Sequence, residues 1–250
     1  MRNSCSRIGV LTLRNVKEIA RDPISLVFTF AMPLAMELLF YFAFHSLTPQ
    51  FEIKYLAPGI VLFSQAFLTL FMGLLIALDR STSFLTRLYV SKARSHEFIL
   101  SYALSALPIA LAQSVLFFLV GGIIDPKIFC AGMLASIGVS LFTSLTFIGL
   151  GLLFGCLCNE KSVGGVSSIV IAGQSVLSGM WFPLEGLPKG LLLLMRVLPF
   201  RNATLLAQNA LNGAPQTFAN FGLPALIVAA YALSFLIAAI LAFKSKMKAK

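Results

Sequence analysis

Long stretches of this sequence carry no charge. Between Asp22 and Glu52 the only ionisable acid or base besides His45 is Glu37. No Asp, Glu, Lys or Arg occurs in 55–78, 98–124, 128–159, 162–184 or 202–243. A helix needs about 20 apolar residues to cross the hydrocarbon core of a bilayer. Within lipid it must satisfy its own backbone hydrogen bonds, which leaves helices and closed barrels as the only spanning forms. Runs of this length fit helices, and six spans are expected at 24–44, 55–78, 98–124, 128–154, 163–182 and 222–243. The fold class is an all-α membrane protein. Composition agrees: 58% of the 250 residues are hydrophobic and 11% are charged, against about 25% charged in a soluble domain. The longest polar segment, Asp79–Glu97, has 19 residues, too few for a catalytic domain.

The net charge of +10 could suit nucleic acid, but the bases sit in short blocks between apolar runs. That pattern points to lipid headgroups and the positive-inside bias. With the N-terminus inside, the inner segments carry 14 of the 19 bases and the outer segments five. Both termini are therefore expected in the cytoplasm, in agreement with an even number of spans. The cysteines Cys5, Cys130, Cys156 and Cys158 form no CxxC pair and have no nearby His, so they are read as apolar filler and no metal site is expected.

Residues 1–22 do not resemble a signal peptide, because Arg7, Arg14, Lys17 and Arg21 interrupt any apolar run. At about 100° per residue, Ile8, Leu11, Val16 and Ile19 share one side and those four bases share the other. The expectation is an interfacial helix lying in the headgroup layer, basic side to water. A polar tail without structure is the alternative. Asp22-Pro23 then breaks the chain before the first span.

The segment Asp79–Glu97 carries Phe84, Leu85, Leu88 and Tyr89 at helical spacing, with Arg80, Arg87 and Arg94 seven apart on one face. Such a helix suits either the groove of a partner protein or the lipid surface. Glu37 lies in the middle of the first span, where a charge costs on the order of 3 kcal/mol even on lenient scales. It is read either as a residue of a substrate path or as a buried, hydrogen-bonded or neutral acid near Pro33. Gln65, Gln113 and Gln174 are further polar groups within spans, as path residues or as interhelical hydrogen bonds. Gly151-x-x-x-Gly155 allows close helix approach, more often within a chain than between chains.

From Gly173 to Gly213 the chain breaks repeatedly. Pro183, Leu187-Pro188 and Leu198-Pro199 exclude one straight helix, so a re-entrant broken hairpin is expected over 183–201, with an amphipathic connector to about Asn220. The spaced set Leu177-Ser178-Gly179, Phe182-Pro183-Leu184-Glu185, Leu187-Pro188 and Leu198-Pro199 resembles the signature that precedes the last span of ABC type-2 transporter permeases, the membrane subunits of exporters. The resemblance extends more loosely over the whole chain. It implies that 79–97 couples to an ATPase subunit through Asp79, Arg80, Phe84, Leu85, Arg87 and Leu88. Here Ser81-Thr82-Ser83 stands where the family often has Gly-Thr after the acid–base pair. It also implies an outer gate at Pro183, Leu187 and Pro188, a substrate path that Glu37, Gln65 and Gln174 would join, and a second permease copy or relative.

The chain has no G-x-x-x-x-G-K-[ST] sequence. No cofactor is expected on it, and ATP and Mg are expected on the partner. Enzyme readings are weak: no HExxH occurs, and His45 and His96 lie at span ends. A six-span channel or assembly factor without an ATPase is the alternative; it lacks any filter-like repeat.

Overall fold

The computed structural model describes residues 4–81, 94–181, 184 and 186–248. Every regular element among them is helical. In chain order these are α1 (Ser4–Ala20), α2 (Pro23–Phe44), α3 (Ile53–Ser81), α4 (Ser95–Ile124), α5 (Ala131–Leu157), α6 (Glu160–Leu177), α7 (Lys189–Val197), α8 (Pro199–Leu211) and α9 (Leu223–Lys248). Short 3₁₀ turns precede α3 and α5, at Pro49–Phe51 and Pro126–Ile128, and a π turn at Phe218–Gly222 leads into α9.

Five segments are long and apolar enough to cross a membrane: Leu26–Phe44, Ile53–Ser81, Ser95–Ile124, Ala131–Leu157 and Phe218–Ser245. The pair α7–α8, bent by 73° at Leu198, makes a sixth if it counts as one broken span. α6 occupies the expected fifth run but has 18 residues and opens on Glu160 and Lys161, and it is not among the five. It starts where the Asn159 side chain accepts the Ser162 N–H at 2.9 Å, an N-cap. It ends at Leu177 rather than near 182, because Gly179 adopts a φ of +70°, the left-handed turn that closes many helices. The bent pair likewise continues past 201 to Leu211: Pro199 opens α8 at its first turn, where a missing N–H costs nothing.

α3 is the central element. In its apolar window 83% of residues are buried, against 17% in α2 and 22% in α9. At 1.5 Å per residue its 29 residues span about 43 Å, longer than the hydrocarbon core, so both ends emerge from the apolar layer. Towards the far end its core partners are Phe117, Phe147 and Leu206 around Leu56 and Ile60. Towards the α1 end they are Ile19, Phe98, Tyr102, Ile148 and Phe243 around Leu68, Met72 and Ile76. α5 lies against α3 through the two glycines of the Gly151-x-x-x-Gly155 pair. A Cβ at Gly151 would stand 2.6 Å from the Thr69 carbonyl oxygen, and one at Gly155 would stand 2.7 Å from that of Gly73. The pair therefore packs within this chain.

α1 is helical as expected, but its faces are not. Lys17 and Arg21 are exposed, whereas Asn15 and Ile19 are buried and Val10 and Leu13 are exposed, at 48% and 57%. Arg7 and Arg14 turn inward to α4 and α3 instead of to water, because Asp79 and Glu97 lie beneath α1. A guanidinium that meets a carboxylate keeps its hydrogen bonds when water leaves.

Candidate functional site

The segment 82–93 lies outside the described residues, and with it Phe84, Leu85, Arg87 and Leu88. Its two roots are described, and each is held by charge. Asp79 stands in the last turn of α3, 5% exposed. Arg14 of α1 grips it with two hydrogen bonds, Nη1 to Oδ2 at 2.5 Å and Nη2 to Oδ1 at 2.7 Å. The Tyr102 hydroxyl of α4 donates to the same Oδ2 at 2.5 Å. Burial works against the Arg14 proton, but the hydrogen bonds and charge of Asp79 outweigh it and raise the guanidinium pKa. A raised base contributes stability throughout the range below its unfolded value, which for arginine lies far above neutral, so the arginine side of this pair is constant across ordinary pH.

Glu97, in the first turn of α4 and 1% exposed, forms the other root. One oxygen accepts the Arg94 backbone N–H at 3.0 Å. Arg7 of α1 lies 3.4 Å from the carboxylate, and the Ser4 hydroxyl donates to its other oxygen. α1 thus pins both ends of the intervening segment with arginines two helical turns apart.

Arg80, next to Asp79, points to a third element. Its Nη1 donates to the carbonyls of Gly155 and Cys156 at 2.6 Å each and to that of Cys158 at 3.1 Å. These belong to the last turn of α5, where carbonyls lack helical partners and the dipole favours a cation. Displacing 82–93 would therefore load α3 and α4 directly, α1 through its arginines and α5 through Arg80.

The mid-span polar residues divide. Gln65 donates to the Ser114 hydroxyl at 3.3 Å, and Gln113 to the Ser64 carbonyl at 2.9 Å. Gln174 of α6 donates to the Thr204 hydroxyl of α8 at 3.2 Å. All three are buried, and each leaves its amide oxygen without a hydrogen bond among the described residues. Glu37 is fully buried on the inward face of α2, in line with Thr29 and Pro33. Neither of its oxygens has a hydrogen-bond partner among the described residues.

At the far end, Pro183 lies outside the described residues. Leu187 donates its N–H to the Leu184 carbonyl at 3.3 Å, and Pro188 caps α7. The side chain that fills this end is Trp181. Its ring stands 4.2 Å from that of Phe40 and 6.1 Å from that of Phe63, and its Nε1 donates to Ser175 at 2.9 Å. Sequence reasoning missed Arg7, Arg14, Tyr102 and Trp181 as site residues. A signal for the first two was present: two arginines seven apart on one helix, and two acids bracketing one loop.

Comparison with curated proteins gives no significant match. The family model described as ABC-2 type transporter matches residues 6–211, which take in α1, both charged roots and the bent pair. The match covers well over half of the chain, and the protein belongs to the ABC-2 type transporter family.

Proposed function

We propose that this chain is the permease subunit of an ATP-driven exporter, moving a hydrophobic or amphipathic molecule out of the cytoplasm or inner leaflet. Drug-like or lipid-like cargo fits the apolar interior better than polysaccharide. The clamp supports this reading: a coupling segment needs rigid roots, and here Asp79 and Glu97 are both buried and both held by α1. In this reading α1 and 79–97 face the cytoplasm, as do both termini, and the protein resides in the cell membrane. A separate ATPase subunit, with its own ATP and Mg, docks on Phe84, Leu85, Arg87 and Leu88. Asp79 and Arg80 carry the displacement into α3 and α5. A second copy or a related permease completes the pathway. Glu37, Gln65 and Gln174 offer buried acceptor oxygens, without a hydrogen bond among the described residues, to a polar or cationic group on the cargo. Pro183, Leu187 and Pro188, with Trp181 behind them, form the outer gate.

The test is purification of the tagged chain in mild detergent with partners identified by mass. A P-loop protein recovered in near-equal amount is the expected result, and Phe84→Asp with Leu88→Asp should release it. Recovery of the permease alone, with transport into vesicles unaffected by the double substitution, would overturn the reading.

A further inference from the structure

A proline inside a helix leaves one carbonyl without its donor, that of the residue four positions earlier. In this protein side-chain amides from other helices reach two such carbonyls, and a third amide reaches the π turn before α9. Pro33 in α2 frees the Thr29 carbonyl, which the Gln113 amide of α4 approaches at 3.5 Å. Pro58 in α3 frees the Lys54 carbonyl, which the Asn212 amide at the end of α8 takes at 3.1 Å. The Asn209 amide of α8 takes the Asn220 carbonyl at 2.9 Å, in the π turn that leads into α9. Pro108 differs: the carbonyl it frees, on Leu104, takes no side-chain donor among the described residues.

Two of the three donors stand within one turn of each other at the end of α8. Gln208, four residues before Asn212 and so on the same face, adds a bond to the neighbouring Tyr55 carbonyl at 2.9 Å. This end of α8 also rests on α5, where a Cβ at Gly132 would stand 2.2 Å from the Leu211 carbonyl oxygen. The other end of the bent pair, α7, has mostly exposed residues, among them Leu193 and Leu194 at 63% and 54%. α8 is thus tied at its C-terminus to the ends of two spans, while α7 has no such tie among the described residues.

We propose that Asn209 and Asn212 are positioning residues of the bent pair: the Asn212 amide replaces the hydrogen bond that Pro58 removes, the Asn209 amide holds the π turn before α9, and together they splint α8 to α3 and α9. The ends of those spans then move with α8 as one body, and any opening of the pair is confined to the bend at Leu198 and to α7. The consequence for gating rests on the exporter reading. The splint itself does not.

The test is a double-mutant cycle read by amide hydrogen exchange on the full purified chain in detergent, following the peptide that covers 199–213. Asn212→Leu keeps the volume and removes the donor. It should speed exchange in α8 about fivefold, the measure of one modest hydrogen bond. Pro58→Ala returns an N–H to the Lys54 carbonyl, and in that background Asn212→Leu should change exchange by less than about twofold. Asn209→Leu removes the donor to the π turn and should speed exchange in α8 by a similar factor, which decides the matter if Pro58→Ala does not fold. Equal acceleration with and without the proline would show that the asparagines only pack, and no acceleration would show that they hold nothing; either result overturns the proposal. The readout needs no ATPase and no cargo, so its failure and that of the exporter reading are distinguishable.

Discussion

Replacing Arg14 by Ala removes both bonds to Asp79 and takes the guanidinium from that buried carboxylate, while the Tyr102 hydroxyl bond remains. Hydrogen bonds to charged groups contribute about 1.5–3 kcal/mol each when buried. Breaking a buried ion pair from one side costs about 3–5 kcal/mol, because the other charge stays buried. The Asp79 side chain is 8% exposed, which favours the upper figures, but that of Arg14 is 28% exposed, so solvent screens part of the attraction. We expect Arg14→Ala to cost about 3 kcal/mol, with a coupling to Asp79→Asn of about 2 kcal/mol in a double-mutant cycle. Glu18, 3.8 Å from Arg14 and half exposed, adds only about 0.3–0.5 kcal/mol as a surface pair of four-residue spacing. Arg14→Lys keeps the charge but not the fork, and should recover about half of the loss. The assay is reversible denaturant unfolding in mixed micelles, with all four members of the cycle measured under one condition. A coupling below about 0.5 kcal/mol, the level of an exposed pair, would refute the claim that this contact anchors the root of the segment 82–93.

Three further outcomes are expected. Arg80→Ala leaves three carbonyls of the last α5 turn without their cation, and exchange there should rise about tenfold, matching a loss of about 1.4 kcal/mol; unchanged exchange at 154–158 would show that water replaces the guanidinium without loss. Gly151→Ala places a Cβ 2.6 Å from the Thr69 carbonyl oxygen, and separating α3 from α5 should cost about 1–3 kcal/mol, read by the same unfolding titration; a neutral result would mean that the two helices part freely. Glu37→Gln removes a buried acid that has no hydrogen-bond partner among the described residues, so membrane insertion and stability should hold or improve while transport changes; transport of every substrate at the original rate would remove Glu37 from the path.

Much of the fold was legible because it is local. The runs 55–78, 98–124 and 128–154 foretell α3, α4 and α5 to within a few residues, as backbone hydrogen bonding in lipid leaves an apolar run little choice but helix. The bend at Leu198-Pro199 was equally readable from the proline. The charged roots were half legible: Asp79 and Arg80 stood out by position, while the arginines that hold Asp79 and Glu97 were assigned to water. Periodicity orders residues around α1 but does not say which side meets protein, and a basic stripe suits headgroups as well as buried acids. Trp181 went unremarked for a similar reason. A lone Trp in a turn signals nothing until Phe40 and Phe63 are brought to it from other helices.

By itself the sequence determined which long runs are apolar and helical, the places where prolines break them, and the lack of a P-loop motif. These follow from residue type and spacing along the chain. Tertiary structure alone decided which partner each buried polar group finds. Arg14 meets Asp79 across 65 positions, Asn212 meets the Lys54 carbonyl across 158, and Gly151 meets α3 rather than a second chain. Such pairings depend on how the helices lie against one another. In an apolar interior an unpaired polar group is costly, and only the packed bundle shows which complement is within reach.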